Sequence, residues 1–426
     1  MNVLTFLPII IVASGLFLLV KLRFFFILHP KKTFSHLTRA VRKKGAFSSL
    51  CLSLAGTLGV GNIVGVAYGI SVGGAGSVFW LLLSSVFSLV IKFSEVALSA
   101  DAKLSSGGMT ELIEKSFKST KLPALLYAAL CLLLSLTMGA SLQSRSAVES
   151  LAGDSGVLIP SIVFSFLVAL AVFGGVRRIE KISAYLIPLA TLVYIILTLS
   201  VIIINGESLP KLFRAIMSDA FSPDAAVGGI GAFAIISKMR EGFSRGLLSN
   251  EAGAGTSAFA HARNDSSPVS SGLVGMCEVF FDTVVLCMLT ALAVLLAVPS
   301  PEIYSSGLEI VKAALISLGT FSLPVLSLSI FAFAFSTVIC WYYYGLCSLS
   351  YLAKGGKRAF TLLFLASVLL GSLTPITPLI VISDYLLFFL AVISLSALIK
   401  NSDRLVYLSE NEGLLKKTDS RKRLAG

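Results

Sequence analysis

Gly56-Thr57-Leu58-Gly59-Val60-Gly61-Asn62-Ile63-Val64-Gly65 lies inside an apolar segment, from about Ser48 to about Val72, long enough to cross a bilayer. Four glycines and an asparagine at mid-span make a poor continuous helix, since each interior Gly costs roughly 0.5–1 kcal/mol relative to Ala. Lipid offers backbone groups no partners, so a loosened helix survives only where protein or a polar cavity receives its N–H and C=O groups. A helix broken there offers bare N–H groups suited to a carboxylate and free carbonyls suited to a small cation. The same residues also fit a glycine face for close helix packing, as in Gly61-xxx-Gly65. This stretch alone leaves both readings open.

The rest of the composition puts the stretch in a membrane. Of 426 residues, 56% are hydrophobic and 13% charged, against roughly 25% charged in ordinary soluble domains. The formal charge of +12 suggests a polyanion partner until its distribution is considered. Lys21, Arg23, Lys31, Lys32, Arg39, Arg42, Lys43 and Lys44 fall between two apolar segments with no acid among them. Lys416, Lys417, Arg421, Lys422 and Arg423 fall in the tail. That is the positive-inside pattern, and nucleic acid is not needed to explain it. The six cysteines have no CxxC spacing and read as buried small hydrophobes. The first apolar segment has no basic residue ahead of it and no clear cleavage site, so it reads as a retained helix.

Read in order, the chain predicts eleven spans, N-terminus outside and C-terminus in the cytoplasm. They are placed at roughly Val3–Val20, Ser48–Val72, Ser77–Ala100, Leu122–Leu151, Val157–Phe173 and Ser183–Ile204. After an external loop, a seventh opens near Val227 with Gly228-Gly229-Ile230-Gly231. Four more follow at Gly272–Val298, Pro324–Tyr351, Ala359–Leu373 and Pro378–Ile399. Lys238, Arg240 and Arg245 then count as cytoplasmic, as does Ser249–Gly255 beside them. With the first helix set aside (3–20), residues 46–205 and 226–400 form two halves of five spans in one transmembrane domain (1–400). Each half begins with a glycine-interrupted span, and the halves run in opposite directions. Residues 401–426 form a basic cytoplasmic tail. Paired interrupted spans point to a transporter with a mid-membrane site.

Chemistry-bearing residues are few. No GxSxG, HExxH, Walker A or dinucleotide fingerprint occurs, and no two histidines share a pocket, which argues against an enzyme. Gln143 in the fourth span has the donors and acceptor to read a zwitterion, or to bond a neighbouring helix. Ser336-Thr337 in the ninth span offer hydroxyls to a cation, or bond back to the preceding turn. Trp341, four residues past Thr337, shares its face and walls a small pocket or joins an interfacial belt with Tyr342–Tyr344. Lys92 and Glu95 are spaced to pair with each other. Asp282 and Asp384 are single acids, Asp282 a proton relay or a helix-to-helix bond. Arg145 lies near the external end and has room to snorkel.

Gly59–Ala67 followed by Gly73-Gly74-Ala75-Gly76-Ser77-Val78-Phe79-Trp80 resembles the signature of the alanine/glycine:cation symporter family. Ser244-Arg245-Gly246-Leu247-Leu248-Ser249-Asn250-Glu251-Ala252-Gly253-Ala254-Gly255, Asp282-Thr283 and Trp341-Tyr342-Tyr343-Tyr344-Gly345 are similar in order and spacing. The resemblance implies an all-α leucine-transporter-type fold of five-plus-five inverted repeats with one extra N-terminal helix. It also implies sodium-coupled uptake of alanine, glycine or a similar small neutral amino acid across a bacterial-type inner membrane. No cofactor is implied beyond the coupling ion. Amides of Val60, Gly61 and Asn62 would hold the substrate carboxylate. Gln143, Ile230, Gly231, Thr337 and Trp341 would line the pocket. Carbonyls of Ala55 and Leu58 with the Ser336 and Thr337 hydroxyls would hold sodium. The family commonly has Thr at Val60, an aromatic at Ile230 and Asn at Arg145; the first two changes imply a larger, more apolar pocket. Rival readings are proton coupling through Asp282 or Glu95, a non-transporting amino-acid sensor and a passive channel.

Overall fold

A computed structural model describes residues 6–43, 45–102, 108–152, 156–222, 231–262 and 266–416, with backbone alone at 231–236. All regular structure among them is helical. The chain runs through α1 (Leu7–Lys21), α2 (Pro30–Val41), α3 (Ala46–Thr57), α4 (Val64–Gly73), α5 (Gly76–Asp101) and α6 (Met109–Ser116). α7 (Leu122–Ala152), α8 (Leu158–Phe173), α9 (Val176–Ile204), α10 (Leu209–Phe221), α11 (Gly231–Asn250) and α12 (Ser257–His261) follow. The remainder is α13 (Pro268–Ala297), α14 (Gly307–Leu315), α15 (Ser322–Leu352), α16 (Lys357–Ser372), α17 (Ile376–Lys400) and α18 (Ser402–Asn411).

Six of these, α5, α7, α9, α13, α15 and α17, are long and apolar enough to cross a membrane, and α3 with α4 makes a bent seventh. α1 and α8 are shorter apolar helices. Ile159, Phe166, Phe173, Leu189, Ile203 and Leu370 are exposed on the outside of the bundle, as a lipid-facing surface requires. The expected spans coincide with these helices to within a few residues, except two. α9 begins at Val176 instead of Ser183, because Gly175 (φ 74°) completes the turn and the helix restarts at once through Arg177 and Arg178.

The seventh span differs more. Residues 228–230 lie outside the described chain, and α11 runs unbroken from Gly231 to Asn250. Within the described residues a break follows at Glu251–Thr256, before the short α12. Lys238 is not on the face that carries the basic stretch. Its ammonium is 2.6 Å from Asp219 on α10, whose other oxygen accepts from the Gly76 N–H at 2.6 Å, where α5 starts. Pairing with Asp219 lets Lys238 sit at the opposite end of the bundle. The basic stretch is itself partly paired: Lys21 with Asp403, and Arg23 with Glu410 on α18.

Backbones approach closely around α5. A Cβ on Gly242 of α11 would stand 2.4 Å from the Ser77 carbonyl oxygen, and one on Gly272 of α13 2.7 Å from that of Phe93. Small residues make such contact possible in lipid, where no hydrophobic effect drives helices together. Gly242→Leu is expected to cost about 1–3 kcal/mol through overpacking and to lower the melting temperature in detergent. Gly65→Ala, whose Cβ would meet nothing within 4 Å, should leave melting unchanged or raise it; equal melting of the two variants would contradict the packing described.

Candidate functional site

α3 stops at Thr57 because Leu58 and Gly59 leave the helical conformation, Gly59 with φ −111° and ψ −153°. One tight turn, Val60–Asn62, follows, and α4 leaves at 66° to α3. A cavity of about 240 Å³ opens at this bend, lined by Gly59, Val60, Gly61, Val64, Gln143 and Leu248 among others. Its other walls, Glu149, Arg245, Ser305–Gly307 and Asp384, belong to the half of the bundle that carries α10 and α14. The Val60 N–H donates to Gln143 Oε1 at 3.1 Å. Gly59 leaves room for that amide, since a Cβ there would meet Oε1 at 2.7 Å. A carboxylate oxygen could take the place that Oε1 occupies, because both are acceptors facing the same N–H.

The carbonyls left by the break are nearly all claimed. Leu54 accepts from the Leu58 N–H and Thr57 from that of Gly59, both within the chain turn. Gly56 accepts from Trp341 Nε1 at 3.2 Å, and Leu58 from Thr337 Oγ1 at 3.3 Å. Among the last four carbonyls of α3, Ala55 alone is given no donor by the described residues, so it is open to a cation. Thr337 Oγ1 also lies 2.9 Å from the Phe333 carbonyl, and Ser336 Oγ is 2.9 Å from those of Ala332 and Phe333. Both hydroxyls therefore bond back along α15, while Thr337 reaches Leu58 as well. Of the four expected sodium ligands, the structure joins Leu58 to Thr337 across the α3–α15 contact, while Ser336 bonds within its own helix.

The other expected residues divide. Val60, Gly61 and Gln143 face the cavity. Trp341 is fully buried and packs behind it, its Cβ filling the space beside Gly139 where α7 widens into a π-helical turn at Ser135–Leu142. Tyr342, Tyr343 and Tyr344 are buried too, so no interfacial belt forms there. Asn62 turns away from the cavity: its Nδ2 donates to Asp282 Oδ1 at 2.6 Å and to the Asp282 carbonyl at 3.3 Å. Gly231 is the first residue of α11, and Ile230 lies outside the described residues. Arg145 pairs with Glu149 one turn on, at 3.2 Å. Asp384, half-buried, lines the cavity.

Ser249–Gly255, the end of α11 and most of the second break, is buried in the protein. Ser249 is the neighbour of Gly61, their backbones close enough that a Cβ on Gly61 would lie 3.7 Å from Ser249 Cα. Gly253 (φ 93°) and Gly255 (φ 78°) permit the turn. Their N–H groups converge on Glu95 Oε1 at 2.5 and 3.0 Å, and the Ala254 carbonyl accepts from Tyr127 at 2.7 Å. Asn250 Oδ1 takes the Ala252 N–H at 2.9 Å. Lys92 donates to Ser257 at 2.8 Å and lies 3.7 Å from Glu95, the expected partner, and 3.9 Å from Glu278. His261, fully buried and not in a loop, meets Glu278 at 2.6 Å. Alternating Gly253 and Gly255 were the available sequence signal for this break. No group of three His, Cys, Asp or Glu among the described residues suits a transition metal.

The family model for the sodium:alanine symporter family matches residues 1–411. A transporter of Haemophilus influenzae is 29% identical over 92% of this chain and 90% of its own length. The amino-acid carrier protein AlsT of Bacillus subtilis is 30% identical, covering 84% of this chain and 78% of its own. The sodium/proton-dependent alanine carrier protein of Bacillus sp. PS3 is 29% identical over 78% of this chain and 80% of its own. Among solved structures, MhsT in complex with L-phenylalanine superposes with a TM-score of 0.58 at 16% identity, covering 86% of this chain and 98% of that one. The fold is of the leucine-transporter type, as the sequence resemblance implies, in an integral membrane protein. The chain belongs to the sodium:alanine symporter family and is a cation-coupled amino-acid symporter, not an enzyme.

Proposed function

We propose that this symporter imports a small neutral amino acid, alanine or one of similar size, driven by sodium. The observation that carries the reading is the bend between α3 and α4. A cavity of about 240 Å³ meets the Val60 N–H on one side, Thr337 reaches the Leu58 carbonyl across α15, and the Ala55 carbonyl three residues earlier is given no donor. The substrate carboxylate displaces Gln143 Oε1 from Val60, and Gln143 then reads the ammonium or carboxylate with its freed amide. Val60 and Val64 present hydrocarbon to the side chain. Sodium bound between α3 and α15 fixes the bend in its receptive shape. Joint occupancy favours closure of the α14 side and opening toward the basic face. We place the N-terminus outside and the basic tail in the cytoplasm. Each sodium charge moved inward then adds roughly 2.3 kcal/mol per 100 mV of membrane potential.

Proteoliposomes carrying the protein should concentrate labelled L-alanine under an inward sodium gradient and not under a potassium control. Thr337→Val should remove that dependence by deleting the hydroxyl that reaches Leu58. Uptake indifferent to sodium but driven by a proton gradient would move the coupling to a buried acid. Gln143→Ala should weaken transport, with KM raised roughly 5- to 150-fold for about 1–3 kcal/mol of lost polar contact. An unchanged KM would remove Gln143 from the site.

Val60→Thr adds a hydroxyl to the cavity wall and should shift preference from valine and alanine toward glycine. An unchanged ranking of glycine, alanine and valine would show that Val60 does not set selectivity.

A further inference from the structure

A groove of about 630 Å³ runs along the outside of the bundle between α9 and α15, away from the substrate cavity. Its walls change character along its length. Near the start of α9 stand Arg178, Lys181 and Tyr185; further along stand Leu189 and, from α15, Phe331 and Phe335. The two phenylalanine rings lie parallel with centroids 6.2 Å apart, and Phe164 of α8 backs Phe331 edge-on at 5.3 Å. Leu189 lies about 16 Å along the helix from Arg178, at 1.5 Å per residue. That is roughly half the hydrocarbon thickness of a bilayer, the depth of one leaflet.

The basic end has a geometry of its own. Arg178 and Lys181 are three positions apart and share a helix face, with Tyr185 one turn further on. All three are exposed, Tyr185 by 73%. Neither cation forms an ion pair among the described residues, and no acid lines the groove. Gly174, at the end of α8, leaves room for the stem of Arg178, which a Cβ there would strike. Long cations at the edge of hydrocarbon reach out to the headgroup layer, and a basic pocket between membrane helices suits an anionic lipid.

We propose that this groove binds one phospholipid with an anionic headgroup. The phosphate sits between Arg178 and Lys181, the guanidinium donating to two of its oxygens and the ammonium to a third. The Tyr185 hydroxyl donates to an ester oxygen, and one acyl chain passes over Leu189 to Phe331 and Phe335. A soluble phosphate would use the basic end and leave the apolar end bare, and a peptide would carry unpaired backbone groups into hydrocarbon. A lipid alone has charge and chain in the order and at the spacing that the groove presents.

The full chain, purified in dodecyl maltoside, is incubated with dioleoyl phosphatidylglycerol or dioleoyl phosphatidylcholine, and bound lipids per chain are counted by native mass spectrometry. The wild type should hold one phosphatidylglycerol roughly tenfold or more tightly than phosphatidylcholine. Arg178→Gln with Lys181→Gln should abolish that preference. Leu189→Trp, which fills the groove and keeps both cations, should weaken phosphatidylglycerol. Lys354→Gln with Lys357→Gln, at a separate hollow between the end of α15 and α16, should change nothing. All these side chains except Leu189 are exposed and polar, so the double variants should melt as the wild type does. Equal binding of the two lipids by the wild type, or an equal loss in the Lys354 and Lys357 variant, would overturn the site in favour of general surface charge. Unaltered binding in Leu189→Trp, or displacement of the lipid by millimolar inorganic phosphate, would overturn it in favour of a bare anion site.

Discussion

Hydrocarbon supplies no hydrogen bonds, and everything distinctive in this protein follows from interrupting two helices where water cannot repair them. Each interruption is received by a named group. The carbonyls at the end of α3 go to Trp341 and Thr337, and the Val60 N–H to Gln143. The amides of Gly253 and Gly255 go to Glu95, and the Ala254 carbonyl to Tyr127. What remains unclaimed is therefore informative. Ala55 O and Asn62 Oδ1 are left over from opposite ends of one turn, and both are acceptors.

The first break was legible because its glycines and asparagine sit in an otherwise apolar span with nothing else to explain them. The break at Glu251–Thr256 was not read from the sequence. Gly228–Gly231 looks weak by composition, while Gly253 and Gly255 lie among charged and polar residues that read as a loop. Those polar residues are instead the partners and neighbours of a buried network, which only the fold assembles. The same holds for Lys238, counted by charge as cytoplasmic. Positive-inside counting applies to charges in loops, and Lys238 is neutralised by Asp219 on a helix of the other face.

The pairing of Ser336-Thr337 with the α3 carbonyls came from family resemblance; the geometry brings Thr337 to Leu58, while Ser336 bonds within its own helix. Asn62 illustrates what no local pattern reveals. Its partner Asp282 is 220 positions away in the chain, and only the widened turn of α13 aims that carboxylate at the break. Residue type marked both as polar intruders in lipid; it did not say that they face each other instead of the cavity.

Backbones meet around α5 and again away from it, at Gly371 against Ser141 and at Gly307 against Val64. At Gly242 and Gly272, backbone rests almost on backbone, leaving no layer of side chains to shear. Toward α7 and α15 the broken segment is held by separate hydroxyls, Tyr127 on Ala254 and Tyr343 on Phe259, each worth only about 1 kcal/mol. The molecule thus joins its helices in two ways, by backbone contact and by single hydroxyl bonds. Residue size decides which: glycine lets two backbones touch, whereas tyrosine bridges a gap at the cost of one bond that water could replace.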